Sequence, residues 1–135
     1  MEPNLTIQDV SKRTGLTAYT LRYYERIGLI APIVRASGGQ RRYATSDMDW
    51  LGFLLRLRAT GMPIQAMQVF ARLRSEGNGT ARARREILKG HRNDVLAQAQ
   101  ALRQSAKVLQ DKIAHYRQIE HSFLQDTSTV KRKTP

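Results

Sequence analysis

Residues 17–28 read Thr-Ala-Tyr-Thr-Leu-Arg-Tyr-Tyr-Glu-Arg-Ile-Gly, and the interpretation of the whole chain depends on this stretch. Thr17 suits a helix N-cap, because its hydroxyl can accept a hydrogen bond from a backbone N–H of the first turn. Gly28 suits the position just after a helix, because glycine takes the left-handed conformation there without strain. The stretch therefore predicts a short helix between these two residues.

The faces of this predicted helix differ in character. Leu21, Tyr24 and Ile27 recur at helical spacing and predict an inner face. The side chains on the other faces are Tyr19, Arg22, Tyr23 and Arg26. An arginine can bind guanine or phosphate through paired hydrogen bonds, and a phenol can donate one to phosphate. An ordinary amphipathic helix with a solvated basic side fits this stretch equally well, so the flanking segments decide between the two readings.

The composition of the chain limits its class and its partners. The 135 residues suffice for one domain, or for a small domain and one extended element. Lys and Arg number 23 against 11 Asp and Glu, and this formal charge of +12 indicates an anionic partner, either nucleic acid or an acidic membrane surface. There is no cysteine, which excludes disulfides and thiolate metal sites within this chain. The start of the chain does not resemble a signal peptide, and no apolar run approaches the ~18 residues that span a bilayer, so we expect a cytoplasmic protein.

The segment before residue 17 predicts a partner helix. Thr6 and Asp9 fit a capping box, and the helix they begin should end near Thr14. Gly15 then makes a turn, and Thr17 starts the next helix. A helix, a short turn with glycine and a second helix form a helix-turn-helix pattern, although a plain helical hairpin has the same local sequence.

The segment after residue 28 predicts a small β-ribbon, which we call the wing. Pro32 ends helical continuation, residues 33–35 have strand propensity, residues 36–39 make a turn, and residues 40–43 return as a second strand. So small a ribbon must lean on the helices. Its polar side chains are Arg35, Gln40, Arg41 and Arg42. They predict a phosphate-binding wing, and the alternative is a solvated charged loop.

Two further helices complete the predicted head domain. Residues 46–49 fit a second capping box, with Ser46 as N-cap, for an apolar helix ending near Thr60. Pro63 suits the first position of the next helix, which should end near Ser75. Trp50 and the methionines are assigned to the core rather than to a cofactor pocket.

The last predicted helix carries a seven-residue repeat. Residues 76–79 form a linker, and residues 80–124 contain no proline and only Gly90 as a flexible point. About 44 residues would extend about 66 Å, too far for the helix to bury its apolar seam against a 75-residue head. We therefore expect a homodimer joined by a coiled coil, and the alanines in the seam favour an antiparallel pair. The predicted interface residues are Leu88, Val95, Ala99, Leu102, Ala106, Leu109, Ile113 and Tyr116. A helix folded back on its own head is the alternative.

The sequence thus predicts a mainly α chain with three parts. Residues 5–76 form a winged helix-turn-helix head, residues 80–124 form the dimerisation helix, and residues 125–135 form a disordered basic tail.

The order of these motifs resembles the MerR family of bacterial transcription regulators. The specific elements are Leu-Arg-Tyr-Tyr-Glu at residues 21–25, Gly28-Leu29 and Arg-Arg-Tyr at residues 41–43. The resemblance implies a dimer joined by an antiparallel coiled coil, which binds an over-long promoter spacer and bends and untwists it so that RNA polymerase can use the promoter. The pattern is closest to the aldehyde-responsive branch, but Arg56 occupies the position of that branch's reactive cysteine.

The resemblance also implies DNA-contacting residues. Thr17, Tyr19, Arg22 and Tyr24 match the contacting helix of the family. In the wing Arg35, Arg41 and Tyr43 match, whereas Gln40 replaces a common tyrosine. Together with the charged and phenolic neighbours, the predicted DNA-binding set is Thr17, Tyr19, Arg22, Tyr23, Tyr24, Arg35, Gln40, Arg41, Arg42 and Tyr43.

Other function classes have weaker support. An architectural or prophage-type winged-helix DNA binder is the second reading, although such proteins usually stop soon after the wing. An enzyme is disfavoured, because no Ser/His/Asp set, paired acids or phosphate loop is evident; His91 and Asp94 are a weak metal pair, and we expect no metal or cofactor. A membrane-surface role is disfavoured by the narrow seam of the long helix. The sequence identifies no small-molecule effector, but a ligand would sit between the head of one subunit and the long helix of the other.

Overall fold

The computed structural model describes residues 4–133, with side chains from residue 4 to residue 127. The described chain is mainly helical, and its elements follow the predicted order. They are α1 (Ile7–Thr14), α2 (Ala18–Arg26), β1 (Val34–Arg35), β2 (Arg41–Arg42), α3 (Thr45–Ala59), α4 (Ile64–Ser75) and α5 (Ala81–Lys133), with a 3-10 turn at Asn78–Thr80. The chain divides into two compact units, with the boundary between Arg92 and Asn93 inside α5.

The helix-turn-helix forms as the local signals predict. Thr6 and Asp9 make a complete capping box, in which the Thr6 hydroxyl accepts from the Asp9 amide at 3.1 Å and the Asp9 carboxylate accepts from the Thr6 amide at 2.9 Å. Gly15 takes φ 76° after α1. Thr17 caps α2 by accepting from the Thr20 amide at 3.1 Å, and Gly28 follows the helix with φ 84°. These cap and turn assignments are confirmed.

The wing is a two-stranded antiparallel ribbon that a third segment extends. Val34 pairs with Arg42, and Arg35 pairs with Arg41. An isolated antiparallel bridge joins Leu5 to Tyr43, with the Leu5 amide 3.0 Å from the Tyr43 carbonyl and the Tyr43 amide 2.7 Å from the Leu5 carbonyl. The segment before α1 therefore anchors the end of the wing, a contact that the sequence did not predict.

Two predicted helix starts are wrong by one or two residues. The N-cap of α3 is Ala44 rather than Ser46, and its amide donates to the Asp47 carboxylate at 2.7 Å. Pro63 is the N-cap of α4 rather than its first helical residue, because its ψ of 149° is extended. At α3 the acid that bonds back to the N-cap amide is Asp47 rather than Asp49. At α4 the proline precedes the helix instead of beginning it.

A single apolar cluster holds the head together. Its fully buried members include Val10 of α1, Leu21 of α2 and Leu51 of α3. Trp50 belongs to it as predicted: its indole N–H donates to the Leu29 carbonyl at 2.8 Å, and its ring stacks on Phe70 at 5.9 Å between centroids. These contacts place the segment between α2 and the wing against α3.

The long helix α5 is longer than predicted. Gly77 takes φ 95°, the 3-10 turn follows it, and α5 then begins. The helix passes through Gly90 without interruption. The predicted disordered tail is wrong for residues 125–133, which continue the helix, and residues 134–135 lie outside the described chain. In the first unit Leu88 is partly buried and packs against the core of the head.

Candidate DNA-binding surface

The exposed side of α2 carries aromatic and cationic side chains. Tyr19 is 69% exposed, and Arg22 and Arg26 are also exposed. Tyr23 is half-buried, and the Arg26 guanidinium lies 5.3 Å from the centre of its ring. The Thr17 hydroxyl is already used, since it caps the helix and donates to the Thr20 hydroxyl at 3.0 Å. The side chains on this face that suit a groove or a phosphate are therefore Tyr19, Arg22, Tyr23 and Arg26.

Tyr24 is a correction to the predicted DNA-binding set. Its side chain is only 3% exposed, because helical periodicity places it beside Leu21 on the inner face. Its hydroxyl accepts a hydrogen bond from Arg58 of α3 at 2.9 Å. Tyr24 therefore connects α2 to α3, and its burial argues against a DNA contact.

Tyr43 is a second correction. Its side chain is fully buried, and its hydroxyl has no hydrogen-bond partner among the described residues. Burial raises the pKa of this phenol above its ordinary value, because the charged form would lose its hydration. Tyr43 thus fills the space beneath the wing, and its burial argues against a DNA contact.

The tip of the wing carries the exposed members of the set. Arg35 is exposed, and its guanidinium donates to the Gly39 carbonyl at 2.9 Å. Gln40 is exposed, and its side-chain oxygen accepts from Arg42 at 3.3 Å. Both interactions leave unused N–H donors on the arginines. These residues can contact phosphates, which is the role that the sequence predicted.

Arg41 differs from the other wing arginines because it has an anionic partner. Its Nε donates to Glu25 of α2 at 2.7 Å, and the two side chains are only 19% and 16% exposed. The other carboxylate oxygen of Glu25 accepts from the Ile33 amide at 3.3 Å. Glu25 therefore bonds to β2 and to the residue just before β1. The sequence alone predicts no role for it.

A polar pocket of about 380 Å³ lies where α1, α2 and the wing meet. Its lining residues are Thr6, Ile7, Gln8, Arg22, Gly39, Gln40, Arg41 and Arg42. The arginines give the pocket positive charge, whereas the Thr6 and Asp9 amides at the N-terminus of α1 already donate within the capping box. Sequence reasoning missed the contribution of α1, although its capping box already marked a helix N-terminus.

The described residues offer little support for other kinds of site. They contain no group of three or more His, Cys, Asp or Glu side chains that could hold a metal ion. His91, the candidate metal ligand, instead lies 2.7 Å from the Thr60 hydroxyl through its Nε2. No helix in the part of the chain described here is long and apolar enough to cross a membrane.

Comparisons with known proteins point to one family. A family model described as MerR HTH family regulatory protein matches residues 5–73, and one described as MerR, DNA binding matches residues 48–112. The chain is 41% identical over 92 residues to the HTH-type transcriptional regulator AdhR of Bacillus subtilis (strain 168), an alignment that covers 68% of this chain and 66% of AdhR.

Solved structures agree with this assignment. A MerR family transcriptional regulator from Listeria monocytogenes superposes with a TM-score of 0.88 at 33% identity, covering 96% of this chain and 100% of that one. HiNmlR, a MerR family regulator lacking the sensor domain and bound to promoter DNA, superposes with a TM-score of 0.78 at 29% identity, covering 87% of this chain and 92% of HiNmlR.

Proposed function

Because this chain belongs to the MerR family of DNA-binding transcription regulators, we propose that it acts as a homodimer on a palindrome within a promoter spacer. Each head would place α2 in a major groove and the wing on the adjacent backbone. The relatives are transcription regulators, so the proposed role is regulation and not catalysis. The working place of such a protein is the cytoplasm, where bacterial promoters are.

The side-by-side placement of α2 and the wing carries this proposal. Arg22 of α2 and Arg42 of the wing line the same polar pocket, together with the N-terminus of α1. The two guanidinium groups therefore converge where one phosphate of a duplex could sit, whereas the Asp9 carboxylate already caps the N-terminus of α1. Tyr19 and Arg26 lie exposed on α2, and Arg35 lies exposed on the wing. We assign direct contacts to these residues and phosphate binding to the pocket.

The apolar side chains of the second unit support a dimer. Leu102, Leu109, Ile113 and Tyr116 are 70%, 64%, 46% and 57% exposed in the isolated chain. They recur with a spacing of seven residues or its three- and four-residue parts, which is the repeat of a coiled coil. A stripe of this kind needs a partner surface, and a second copy of α5 has the matching repeat. The proposed interface comprises Val95, Ala99, Leu102, Ala106, Leu109, Ile113 and Tyr116.

The proposed mechanism is distortion of the promoter spacer. In a dimer joined by a rigid coiled coil, the protein sets the separation of the two α2 helices. Half-sites on straight DNA lie about 34 Å apart, and bending a site of 20–30 base pairs by 40–90° takes on the order of 1–6 kcal/mol. A dimer carries twice the formal charge of +12, which is +24, and phosphate contacts along the curved path would offset that energy. The distortion would realign the two promoter elements that RNA polymerase reads.

The first step of the test identifies a binding sequence. Wild-type protein is incubated with a randomised DNA duplex library, and bound sequences are recovered over several rounds. We expect enrichment of an inverted repeat, because a two-fold dimer binds two equal half-sites. Phased binding over long DNA without an inverted repeat would instead favour the architectural reading.

The second step tests the mechanism. The inverted repeat is placed in a promoter with an over-long spacer, and in vitro transcription is measured with and without the protein. Shortening the spacer by one or two base pairs, with both half-sites kept, should give high transcription that no longer needs the protein. A shortened promoter that still depended strictly on the protein would contradict distortion and would favour recruitment of polymerase or simple repression.

A further inference from the structure

We infer that Glu25 is a positioning residue of the DNA-binding surface, which holds the wing at a set distance from α2, and that Arg41 is its structural counter-ion and not a phosphate ligand. This inference rests on the proposed DNA-binding function. It concerns how the two binding elements are kept in register with one another, which the sequence motif by itself does not explain.

The contacts of Glu25 reach both sides of the wing. One carboxylate oxygen accepts from Arg41 Nε at 2.7 Å, which is a short, charge-assisted hydrogen bond to β2. The other oxygen accepts from the amide of Ile33, the residue just before β1, at 3.3 Å. A single side chain on α2 thus bonds to β2 and to the residue just before β1. A displacement of the wing relative to α2 would break both bonds.

The charge balance of this region makes a carboxylate hard to explain in any other way. Between residues 4 and 44 the chain carries seven lysines and arginines and only two acids, Asp9 and Glu25. Asp9 is used in the capping box of α1. Glu25 lies between two elements that face a polyanion, where an uncompensated negative charge would repel phosphates. Its pairing with Arg41 removes that repulsion and also uses the Arg41 charge.

The wing itself is too small to keep its position unaided. Each strand has two residues, and a two-stranded ribbon is at best marginally stable in water. Its other fastenings are the backbone bridge from Leu5 to Tyr43 and the buried side chains of Ile33 and Tyr43. These hold the underside of the wing and the end that lies away from its turn. Glu25 is the side chain that joins the wing directly to α2, so its loss should move the wing without unfolding the head.

The decisive experiment compares specific with non-specific DNA binding. The probes are the duplex selected by the wild-type protein and a scrambled duplex of equal length and composition. Glu25→Gln keeps the size of the side chain but removes its charge. We expect binding to the selected duplex to weaken by about tenfold or more, as follows from the loss of a hydrogen bond between charged groups. Binding to the scrambled duplex should stay equal or become tighter, because the protein gains one positive charge.

A matched control separates position from charge. Glu86 is 55% exposed on α5 and pairs with Arg85 and Lys89, so Glu86→Gln also removes one paired negative charge but lies outside α2 and the wing. This variant should affect both probes equally. If Glu25→Gln behaves in the same way, with an unchanged ratio between the two probes, Glu25 has no positioning role.

Arg41 tests the same contact from the other side and remains informative if the Glu25 variant folds poorly. Arg41→Gln should reproduce the loss of specificity, and the double variant should be no worse than the more affected single one. The dependence of affinity on salt is measured in the double variant, because Arg41→Gln alone would leave the Glu25 carboxylate unpaired. Its slope should equal that of the wild type, since the Glu25–Arg41 pair carries no net charge. A slope reduced by about one per site would show a phosphate contact and would overturn the inference.

The outcomes also separate this inference from the proposed function. If the wild-type protein enriches no sequence, the proposed sequence-specific regulation is wrong, and the inference about Glu25 fails with it. If the wild-type enriches an inverted repeat but neither variant changes the ratio of specific to non-specific affinity, the proposed function stands and the inference about Glu25 fails.

Discussion

Neighbouring residues of α2 have opposite environments. Tyr23 is half-buried beneath the Arg26 guanidinium, whereas Tyr24 is buried and bonded to Arg58. One step of about 100° around a helix separates a surface phenol from a core phenol, because a helix has 3.6 residues per turn. The Arg-Tyr-Tyr-Glu motif thus combines a proposed duplex contact, a bond to α3 and a bond to the wing.

Arg22 is the α2 residue whose substitution is most diagnostic at this scale. It is exposed and lines the pocket next to the wing. Arg22→Ala should weaken binding to the selected duplex by about 1–3 kcal/mol and relax the preference at one position of each half-site. Arg56→Ala, which removes an equal charge from the exposed surface of α3, is the control for net charge. Repeating the selection with each variant gives the readout, and an unaltered sequence preference in Arg22→Ala would show that this residue reads no base.

Tyr43 gives a prediction about pH. Burial raises the pKa of this phenol in the folded protein above its ordinary value of 10.0. The folded state therefore favours the neutral hydroxyl, and below pH 10 this contribution to the free energy of unfolding is fully present. As pH rises above that value, the unfolded chain ionises first, and this contribution is lost progressively up to the folded pKa. Tyr43→Phe cannot ionise, so its free energy of unfolding should exceed that of the wild type by an amount that grows above pH 10. Near pH 8 the two should agree within about 1 kcal/mol, because the removed hydroxyl has no partner.

Urea unfolding at pH 8 and at pH 10.5 checks this expectation. The same variant also tests the correction of Tyr43 from a DNA ligand to a core residue. Its affinity for the selected duplex should equal that of the wild type. A folded Tyr43→Phe protein with weakened binding would restore the phenol as a DNA contact.

At the scale of elements, each helix of the head begins with a different device. Thr6 and Asp9 close a reciprocal box on α1, Thr17 alone caps α2, and Asp47 bonds back to the amide of Ala44 at α3. Pro63 precedes α4 in an extended conformation. These local devices define the ends of the helices, and the ends determine where Gly15 and Gly28 turn the chain toward the next element.

The start of α3 supplies a prediction that separates the observed register from the sequence-based one. Asp47→Ala removes the acceptor of the Ala44 amide and should lower the free energy of unfolding by about 1 kcal/mol. Ser46→Ala is the matched control and should change it by less than about 0.5 kcal/mol, because Ser46 is not the N-cap. Chemical denaturation of both variants is the measurement, and a larger effect at Ser46 would support the predicted box instead of the observed one.

At the scale of the whole molecule, the proposed assembly depends on α5. The second unit contains the part of α5 that follows Arg92. Its exposed apolar side chains follow the heptad seam, and further exposed apolar residues such as Leu96 and Ile119 lie beside the seam. Such a stripe on a single helix leaves apolar area in water, and association of two copies would remove it. DNA binding to an inverted repeat would then depend on dimerisation, because each head contacts one half-site.

Charges in the seam should therefore dissociate the dimer. The double variant Leu102→Lys with Leu109→Lys introduces two charges on the seam, and Gln104→Lys with Gln118→Lys introduces two on the opposite side of the heptad as a control. By analytical ultracentrifugation the first should be monomeric and the control dimeric. The monomer should keep a folded head by its circular dichroism but lose affinity for the selected duplex. A seam variant that still sedimented as a dimer would exclude this interface.

The order of the elements, most of their caps and turns, and the cationic character of α2 and the wing are predictable from the sequence alone. These features were predictable because a cap, a helical face and a tight turn involve residues three or four positions apart. The sequence also determined the exposed heptad stripe of α5, since a repeat needs no knowledge of tertiary contacts. The sequence predicts the α3 cap two residues too late. Ser46 and Asp49 fit the capping-box rule, whereas the observed N-cap, Ala44, has no side chain that could indicate it.

The exposure of the charged and phenolic side chains depends on how the chain folds. Arg41 is paired with Glu25, which lies 16 positions away in sequence, and Tyr24 is bonded to Arg58, which lies 34 positions away. Tyr43 is covered because its strand bridges to Leu5. Residue type and spacing cannot predict these contacts, because they depend on how the helices pack against the wing. Burial and ion pairing depend on neighbours in space, and packing of the core brings together residues that are distant in sequence.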